Sequence, residues 1–268
     1  MHFVATRVLV LLTALLTAAC AGTIRPPVRP AAPPADAILI LPGLGYTAAG
    51  ARAMRALAAP LRDEGFDLYV PDYIARSGLA GSRHKLRRFI QDQRLERYER
   101  VHVFAFLAGA WTFNPIATDL PLPNLATVVY DRSPYQERAP RIAVDRLRLL
   151  ARLRHGRIVA DLAREPYVPL PRSGVRVGLV VETVPTSFVR RHAATADSYG
   201  PFSFDCEGFG QPFDDCLFIP LDHSELYTRF REVWPEVRTF IRDGRFSAAA
   251  DRTPPTPVRL SESREGSK

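Results

Sequence analysis

The stretch RVHVFAFLAGAW, Arg100 to Trp111, decides the fold of this 268-residue chain. Its apolar run predicts a buried β-strand, and the small residues Ala105 and Gly109 predict a sharp turn where the strand gives way to a helix. Leu107 is the central residue of that turn. Hydrophobicity alone is equally typical of a buried strand in any α/β protein, so the order of the surrounding elements has to decide.

On both sides of this turn, apolar runs alternate with amphipathic stretches, which is the pattern of βαβ units. The expected fold class is therefore α/β, with a mostly parallel sheet flanked by helices. A composition of 47% hydrophobic and 24% charged residues suits one globular domain. The other predicted strands fall in 37–45, 66–73, 125–134, 175–184 and 216–224, and the predicted helices in 46–65, 83–99 (with Ser82 as N-cap), 111–118 and about 225–242.

The segment 136–174 is a basic, amphipathic insertion between two predicted strands. Its apolar residues recur at spacings of three, and its arginines lie elsewhere around the predicted helix. A lid over a cleft, a membrane-facing helix and a plain solvated surface helix are all consistent with this pattern. The residues are Val144, Leu147, Leu150 and Leu153, with Arg146, Arg148, Arg152 and Arg154.

Four short motifs resemble the α/β-hydrolase superfamily, in particular its lipase and esterase branch, over about 37–242. AFLAGA (105–110) is similar to the nucleophile elbow G-x-S-x-G. LPGLG (41–45) resembles the Gly-rich loop after the first core strand, and RSPYQERAP (132–140) the segment that follows the elbow's neighbouring strand. LDHSEL (221–226) resembles the loop that presents the catalytic histidine. The hydrolase-like domain is expected to span 37–246, with 136–174 as a lid-like insertion.

The resemblance implies a role for individual residues. Leu107 stands at the nucleophile position but has no proton to lose and no lone pair, and the family's elbow would hold it in a strained backbone conformation. The oxyanion-type amides would belong to Leu44 and Ala108. His223 would be the base and Glu182 its orienting carboxylate, with a vestigial role as the alternative for both. Asp205, Asp214 and Asp215 are rivals to Glu182.

Other serines are poor substitutes for the missing nucleophile. Ser198 in ADSYG has the right spelling but no strand leading into it, and Ser133 follows a predicted strand without the elbow's small residues. Ser77 and Ser82 are expected in a loop and at a helix cap. No metal site and no cofactor are predicted, because the cysteines lack the partner ligands that zinc requires.

The N-terminus is typical of an exported protein. Residues 1–19 form a predicted signal peptide, and LTAAC resembles a bacterial lipobox, which implies lipidation of Cys20. An ordinary signal with an incidental cysteine is the alternative. A Pro/Ala-rich tether at 20–36 follows, and 247–268 is expected to be disordered. The resemblance to lipoproteins implies the periplasmic side of an outer membrane. In such a compartment Cys206 and Cys216 are expected to form a disulfide.

Charge and motifs together limit the function. The net charge of +8 is spread along most of the chain without a nucleic-acid-binding motif, so an anionic membrane surface is a better expected partner than nucleic acid. The resulting hypothesis is a degenerate lipase or esterase relative that binds a lipid-like ligand or an envelope protein. The sequence leaves two alternatives open: an active esterase with a nonstandard nucleophile and His223 as base, and a structural scaffold of the envelope.

Overall fold

The sheet of this protein consists of six parallel strands in the order β2-β1-β3-β4-β5-β6. They are seen in a computed structural model that describes residues 22–27, 35–171, 174–257 and 259–261. The predicted α/β class and mostly parallel sheet are confirmed. The strands are β1 (Asp36–Leu41), β2 (Phe66–Tyr69), β3 (Arg100–Phe106), β4 (Leu125–Asp131), β5 (Arg176–Glu182) and β6 (Asp215–Ile219).

Both faces of the sheet are buried, which is why its strands are mostly apolar. Because side chains alternate along a strand, Ile38 and Ile40 of β1 join one core while Leu39 and Leu41 join the other. The helices that cover the two faces are α1 (Ala48–Asp63), α2 (Leu79–Gln93), α3 (Leu107–Phe113), α4 (Pro134–His155), α5 (Ile158–Leu162), α6 (Ser187–Arg191), α7 (Ala193–Asp197) and α8 (His223–Asp243).

Three helices begin earlier than the sequence predicts. Helix α2 starts at Leu79, so Ser82 lies inside its first turn and is not its N-cap; the Ser82 hydroxyl accepts from the Ala75 amide at 2.9 Å instead. Helix α3 starts at Leu107, directly after β3, and not at Trp111. Helix α8 starts at His223 and not at about residue 225, because Asp222 forms a capping box ahead of it.

The chain makes contacts beyond the expected limits of the domain. Ile24, in the predicted tether, is buried and forms an antiparallel bridge with Val70. In the predicted disordered tail, the Arg252 guanidinium pairs with Asp215 at 2.7 Å, and the Leu260 amide donates to Asp197 at 2.9 Å. These segments therefore pack on the sheet domain as far as they are described.

The Cys206–Cys216 disulfide is present, as predicted, and closes a ten-residue separation. A cross-link of this kind stabilises a fold by roughly 2–3 kcal/mol on the loop-entropy model. Within the described residues, none of the helices is both long and apolar enough to cross a bilayer. The predicted signal peptide (1–19) and Cys20 lie outside the described residues.

Candidate active site

The turn from β3 into α3, where the sequence predicts an elbow-like turn, has no strained backbone at its central residue. Phe106 is the N-cap of α3 in an extended conformation (φ −65°, ψ 166°), and Leu107 is already the first helical residue. Among the described non-glycine residues, positive φ occurs at Arg94 and not at Leu107. The strained backbone expected at 107 is therefore wrong. With no oxygen to aim, the leucine side chain gains nothing that would offset such strain.

Close packing of the turn depends on Gly109. A Cβ atom placed there would lie 2.8 Å from both the Cβ and the carbonyl oxygen of Leu41 in β1. The first strand and the helix after the third thus approach each other more closely than any side chain allows. This contact keeps the start of α3 beside the Gly-rich loop at 42–45, so the two segments face one cavity.

A cavity of about 480 Å³ opens at the carboxyl edge of the sheet. Leu107 is 8% exposed and lines it, together with Leu44 of the Gly-rich loop and Ala108. The lid-like insertion supplies much of the opposite wall, so that the segment 136–174 covers the site as a lid would. Its contributions are Gln136, Ala139, Pro140, Ala143, Leu147, Leu150, Ala151, Arg154, His155, Val159 and Leu162.

His223 lies at the end of this cavity between two carboxyl groups. Its Nδ1 atom is 3.2 Å from Oε1 of Glu182 and 3.3 Å from Oδ2 of Asp131. Glu182 is the last residue of β5 and Asp131 the last of β4, so adjacent parallel strands place them side by side. The Gln136 amide donates to both groups, at 3.2 Å to Asp131 and in a short contact to Glu182.

The electrostatics of this cluster raise the pKa values of His223 and Glu182. Burial lowers the pKa of His223, but the two carboxyl groups outweigh it and raise that pKa to about 10. Burial and the neighbouring Asp131 raise the pKa of Glu182 from 4.5 to about 8. The two carboxyl groups therefore favour the protonated form of the imidazole. A protonated imidazole cannot accept a proton from a nucleophile, which is what a catalytic base must do.

Tyr227 occupies the other side of the imidazole. Its hydroxyl accepts a hydrogen bond from the Gly43 amide at 2.8 Å and lies 3.1 Å from Nε2 of His223. Its ring stacks on Phe106 at a centroid distance of 4.2 Å. Burial raises the pKa of Tyr227 well above its ordinary value, so the phenol stays protonated. Both ring nitrogens of His223 are thus engaged by protein groups.

The same three ligating groups are close enough to consider a metal ion. The donor atoms of Asp131, Glu182 and His223 lie within 4.8 Å of one another, which makes them a candidate set among the described residues. Gln136 and the imidazole already supply hydrogen-bond donors to both carboxyl groups. These protein donors account for the burial of the acidic pair.

The rival residues lie elsewhere. Asp214 and Asp215 belong to the opposite, amino edge of the sheet, where Asp214 accepts from the Val177 amide at 2.6 Å. Asp205 caps the short 3₁₀ turn Cys206–Phe209. Ser198 donates to the Thr195 carbonyl. Ser133 is the N-cap of α4, and its hydroxyl accepts from the backbone amide of Gln136. The hydroxyl that does reach His223 is that of Tyr227.

Sequence reasoning missed Asp131, Gln136 and Tyr227. Asp131 had a usable signal, because it ends a predicted strand next to the one that ends in Glu182. Tyr227 also had one, since it follows His223 by four residues and shares its face of a helix. Gln136 carried none, because its role depends on how the first turn of α4 sits over the two strand ends.

The sequence matches no protein-family model and no curated protein. Solved structures do resemble it. The type II thioesterase BorB from the borrelidin biosynthetic cluster is 14% identical with a TM-score of 0.50, over 83% of this chain and 97% of that one. A 1H-3-hydroxy-4-oxoquinoline 2,4-dioxygenase is 13% identical with a TM-score of 0.50, over 82% and 95%. The lipase BlEst2 from Bacillus licheniformis is 14% identical with a TM-score of 0.48, over 67% and 80%. At these identities the likeness concerns the fold.

Proposed function

The chain has the α/β-hydrolase fold, and we propose that it is a catalytically degenerate relative of esterases and lipases that binds a lipid-like ligand without hydrolysing it. The observation that carries the proposal is that the Tyr227 hydroxyl contacts the base, His223, at a site where Leu107 stands in place of the nucleophile. The ligand site is the cavity that Leu107 lines.

Ester hydrolysis on this fold needs a nucleophile, a neutral base within hydrogen-bond reach of it, and amides free to receive an oxyanion. Leu107 cannot attack. The carboxyl groups beside His223 raise its pKa, and its Nε2 atom is engaged by the Tyr227 hydroxyl. The Gly43 amide, beside the predicted oxyanion residue Leu44, already donates to the same hydroxyl. The nucleophile is therefore missing, and the base and the Gly43 amide are engaged by Tyr227 instead of by a substrate.

The walls of the cavity favour an acyl chain. Leu44, Leu107, Leu147, Leu162 and Phe188 all line it, and its volume falls in the range of small-molecule sites. Polar groups also line the cavity, among them His223 and Glu182. An unbranched apolar ligand with a polar head fits such a lining. A free fatty acid and a lysophospholipid share this chemistry.

The cellular setting is part of the same proposal. A lipid anchor on Cys20 would hold the domain at a membrane surface, with the outer membrane of an envelope as the expected location. Binding of an envelope protein is the competing use of the same domain. It is favoured by no contact among the described residues, whereas the cavity favours a small ligand.

The test is a titration of the full chain carrying Cys20→Ser, so that no attached acyl chain can occupy the cavity. Laurate and a lysophosphatidylcholine are added as monomers and followed by calorimetry. Ala143→Trp fills the cavity from α4, and Ala160→Trp places the same ring on α5 at a position that does not line it.

We expect saturable binding that Ala143→Trp abolishes and Ala160→Trp retains. Absence of saturable binding to either lipid would remove the ligand half of the proposal. Hydrolysis of an activated ester that disappears in His223→Ala would remove the other half and restore the active-esterase alternative.

A further inference from the structure

The second half of helix α4, Leu147–His155, carries an exposed apolar stripe. Leu149, Leu150 and Leu153 are 69%, 47% and 62% exposed. On a helix of 3.6 residues per turn these three side chains lie within about 100° of one another. Solvated leucines in such a group mark an interaction surface, because single exposed apolar residues are ordinary but a contiguous patch is not.

Arginines flank the stripe on both sides. At about 100° per residue, Arg152 and Arg148 lie on one side of it and Arg154 on the other. None of these three forms an ion pair with a carboxylate in the described part of the chain. Burial lowers the pKa of His155 to about 4, and the positive charges of Arg154 and Arg76 lower it further.

The stripe is held in place. The Arg76 guanidinium donates to the carbonyl oxygens of Leu153 and Arg154, each at 2.7 Å, and the Arg157 amide returns a bond to the Arg76 carbonyl at 2.8 Å. At Gly156 a Cβ would lie 2.1 Å from that same carbonyl oxygen. The C-terminal end of α4 is thus fixed to the loop before α2 and needs no rearrangement to present its leucines.

The same half-helix is a wall of the ligand cavity through Leu147, Ala151 and His155, and Leu150 and Arg154 line it as well. Helix α4 bends at Leu147 (φ −136°, ψ 31°), and this bend separates the half that carries the stripe from the first turns, which also line the cavity. A single short segment therefore borders the cavity on one side and solvent on the other. Whatever covers the leucines lies next to the cavity.

We propose that Leu149, Leu150 and Leu153, framed by Arg148, Arg152 and Arg154, dock the domain onto an anionic lipid surface, and that the cavity takes its ligand from that surface. Leucines inserted at the headgroup boundary and arginines paired with anionic headgroups are the two contributions by which an amphipathic helix binds a membrane surface. Only the uptake of a ligand from that surface rests on the proposed function, since docking is measured without any ligand.

The experiment places a tryptophan on the stripe in the full chain. Leu149→Trp is compared with Glu99→Trp, an exposed position at the opposite, amino edge of the sheet. Both variants keep the same N-terminus, so any attachment through that segment is common to them. The native Trp111 and Trp234 are buried and are subtracted with the unaltered chain. Vesicles of brominated phosphatidylglycerol or brominated phosphatidylcholine serve as quenchers.

We expect the added emission of Leu149→Trp to shift to the blue and to be largely quenched by the anionic vesicles, while that of Glu99→Trp is unchanged. Adding Arg148→Gln and Arg152→Gln should weaken this quenching, by about fivefold in vesicle affinity for each arginine lost, which corresponds to ~1 kcal/mol per basic residue at an anionic surface.

Equal emission from positions 149 and 99 on anionic vesicles would overturn docking. A blue shift of Leu149→Trp that grows with protein concentration before vesicles are added would overturn it as well, because a second copy of the chain would then cover the stripe. Docking without saturable binding of laurate or lysophospholipid would contradict the proposed function and leave the docking surface standing.

Discussion

Replacing Tyr227 by phenylalanine should destabilise the fold through a single oxygen atom. The hydroxyl accepts from the buried Gly43 amide at 2.8 Å and contacts His223 at 3.1 Å, while the ring keeps its stack on Phe106 at 4.2 Å. Removing the oxygen leaves a buried amide without its acceptor, which costs about 1–3 kcal/mol of unfolding free energy. We therefore expect the midpoint of urea unfolding to fall by roughly 0.5–1 M.

Tyr46→Phe is the matched control for this change. The Tyr46 hydroxyl is also buried but has no hydrogen-bond partner among the described residues, and its ring lies 5.6 Å from that of Tyr227. Its removal should not lower the unfolding free energy, since no bond is lost and a buried polar group without a partner is removed. If the two substitutions lower the urea midpoint equally, Tyr227 does not hold the site in the way described, and the argument for a sequestered base fails.

Three further outcomes are expected. The unfolding free energy should fall as pH rises from about 5 to 10, because folding raises the pKa values of Glu182 and of His223. Glu182→Gln should flatten the acidic part of that slope, measured by urea unfolding at a series of pH values. An unchanged slope would contradict the assignment. Leu107→Ser alone should not hydrolyse p-nitrophenyl acetate. The double variant Leu107→Ser with Tyr227→Phe should have a higher hydrolysis rate than either single variant, because losing the hydroxyl frees the base and the Gly43 amide. An active Leu107→Ser variant would show that the tyrosine does not block the site. Gly109→Ala should cost about 1–3 kcal/mol in urea unfolding because its Cβ meets β1, while Gly208→Ala, with open space around it, should be neutral; equal effects would argue against the close turn.

The fold was predictable because its physics is local. Buried parallel strands need long apolar runs, and the helices between them need one apolar stripe, so β3 and its neighbours are visible as a one-dimensional pattern. Helix starts were less visible. Ser82 has the chemistry of a cap, but Gly78 (φ 110°) supplies the turn, and the serine hydroxyl bonds the loop instead. Tertiary contacts decided which of two reasonable starts was used.

The site was predictable only where it repeats a known arrangement. The structure brings His223 and Glu182 together, and both positions came from the resemblance of strand-end loops to the α/β-hydrolase pattern. Asp131 and Tyr227 come from the crossing of elements far apart in the chain, which no local motif records. The relaxed backbone at Leu107 was likewise not predictable. The resemblance to the elbow motif implies a strained backbone at its serine, and Leu107 does not adopt that conformation.

The most direct test of the central claim compares the full chain with its His223→Ala variant in the hydrolysis of p-nitrophenyl butyrate, with fluorophosphonate labelling of the same samples. The account predicts equal rates at the level of buffer and no labelled residue, because Leu107 offers no attacking atom and Tyr227 occupies the base. A rate that disappears with the imidazole, or a serine that carries the label, would contradict it.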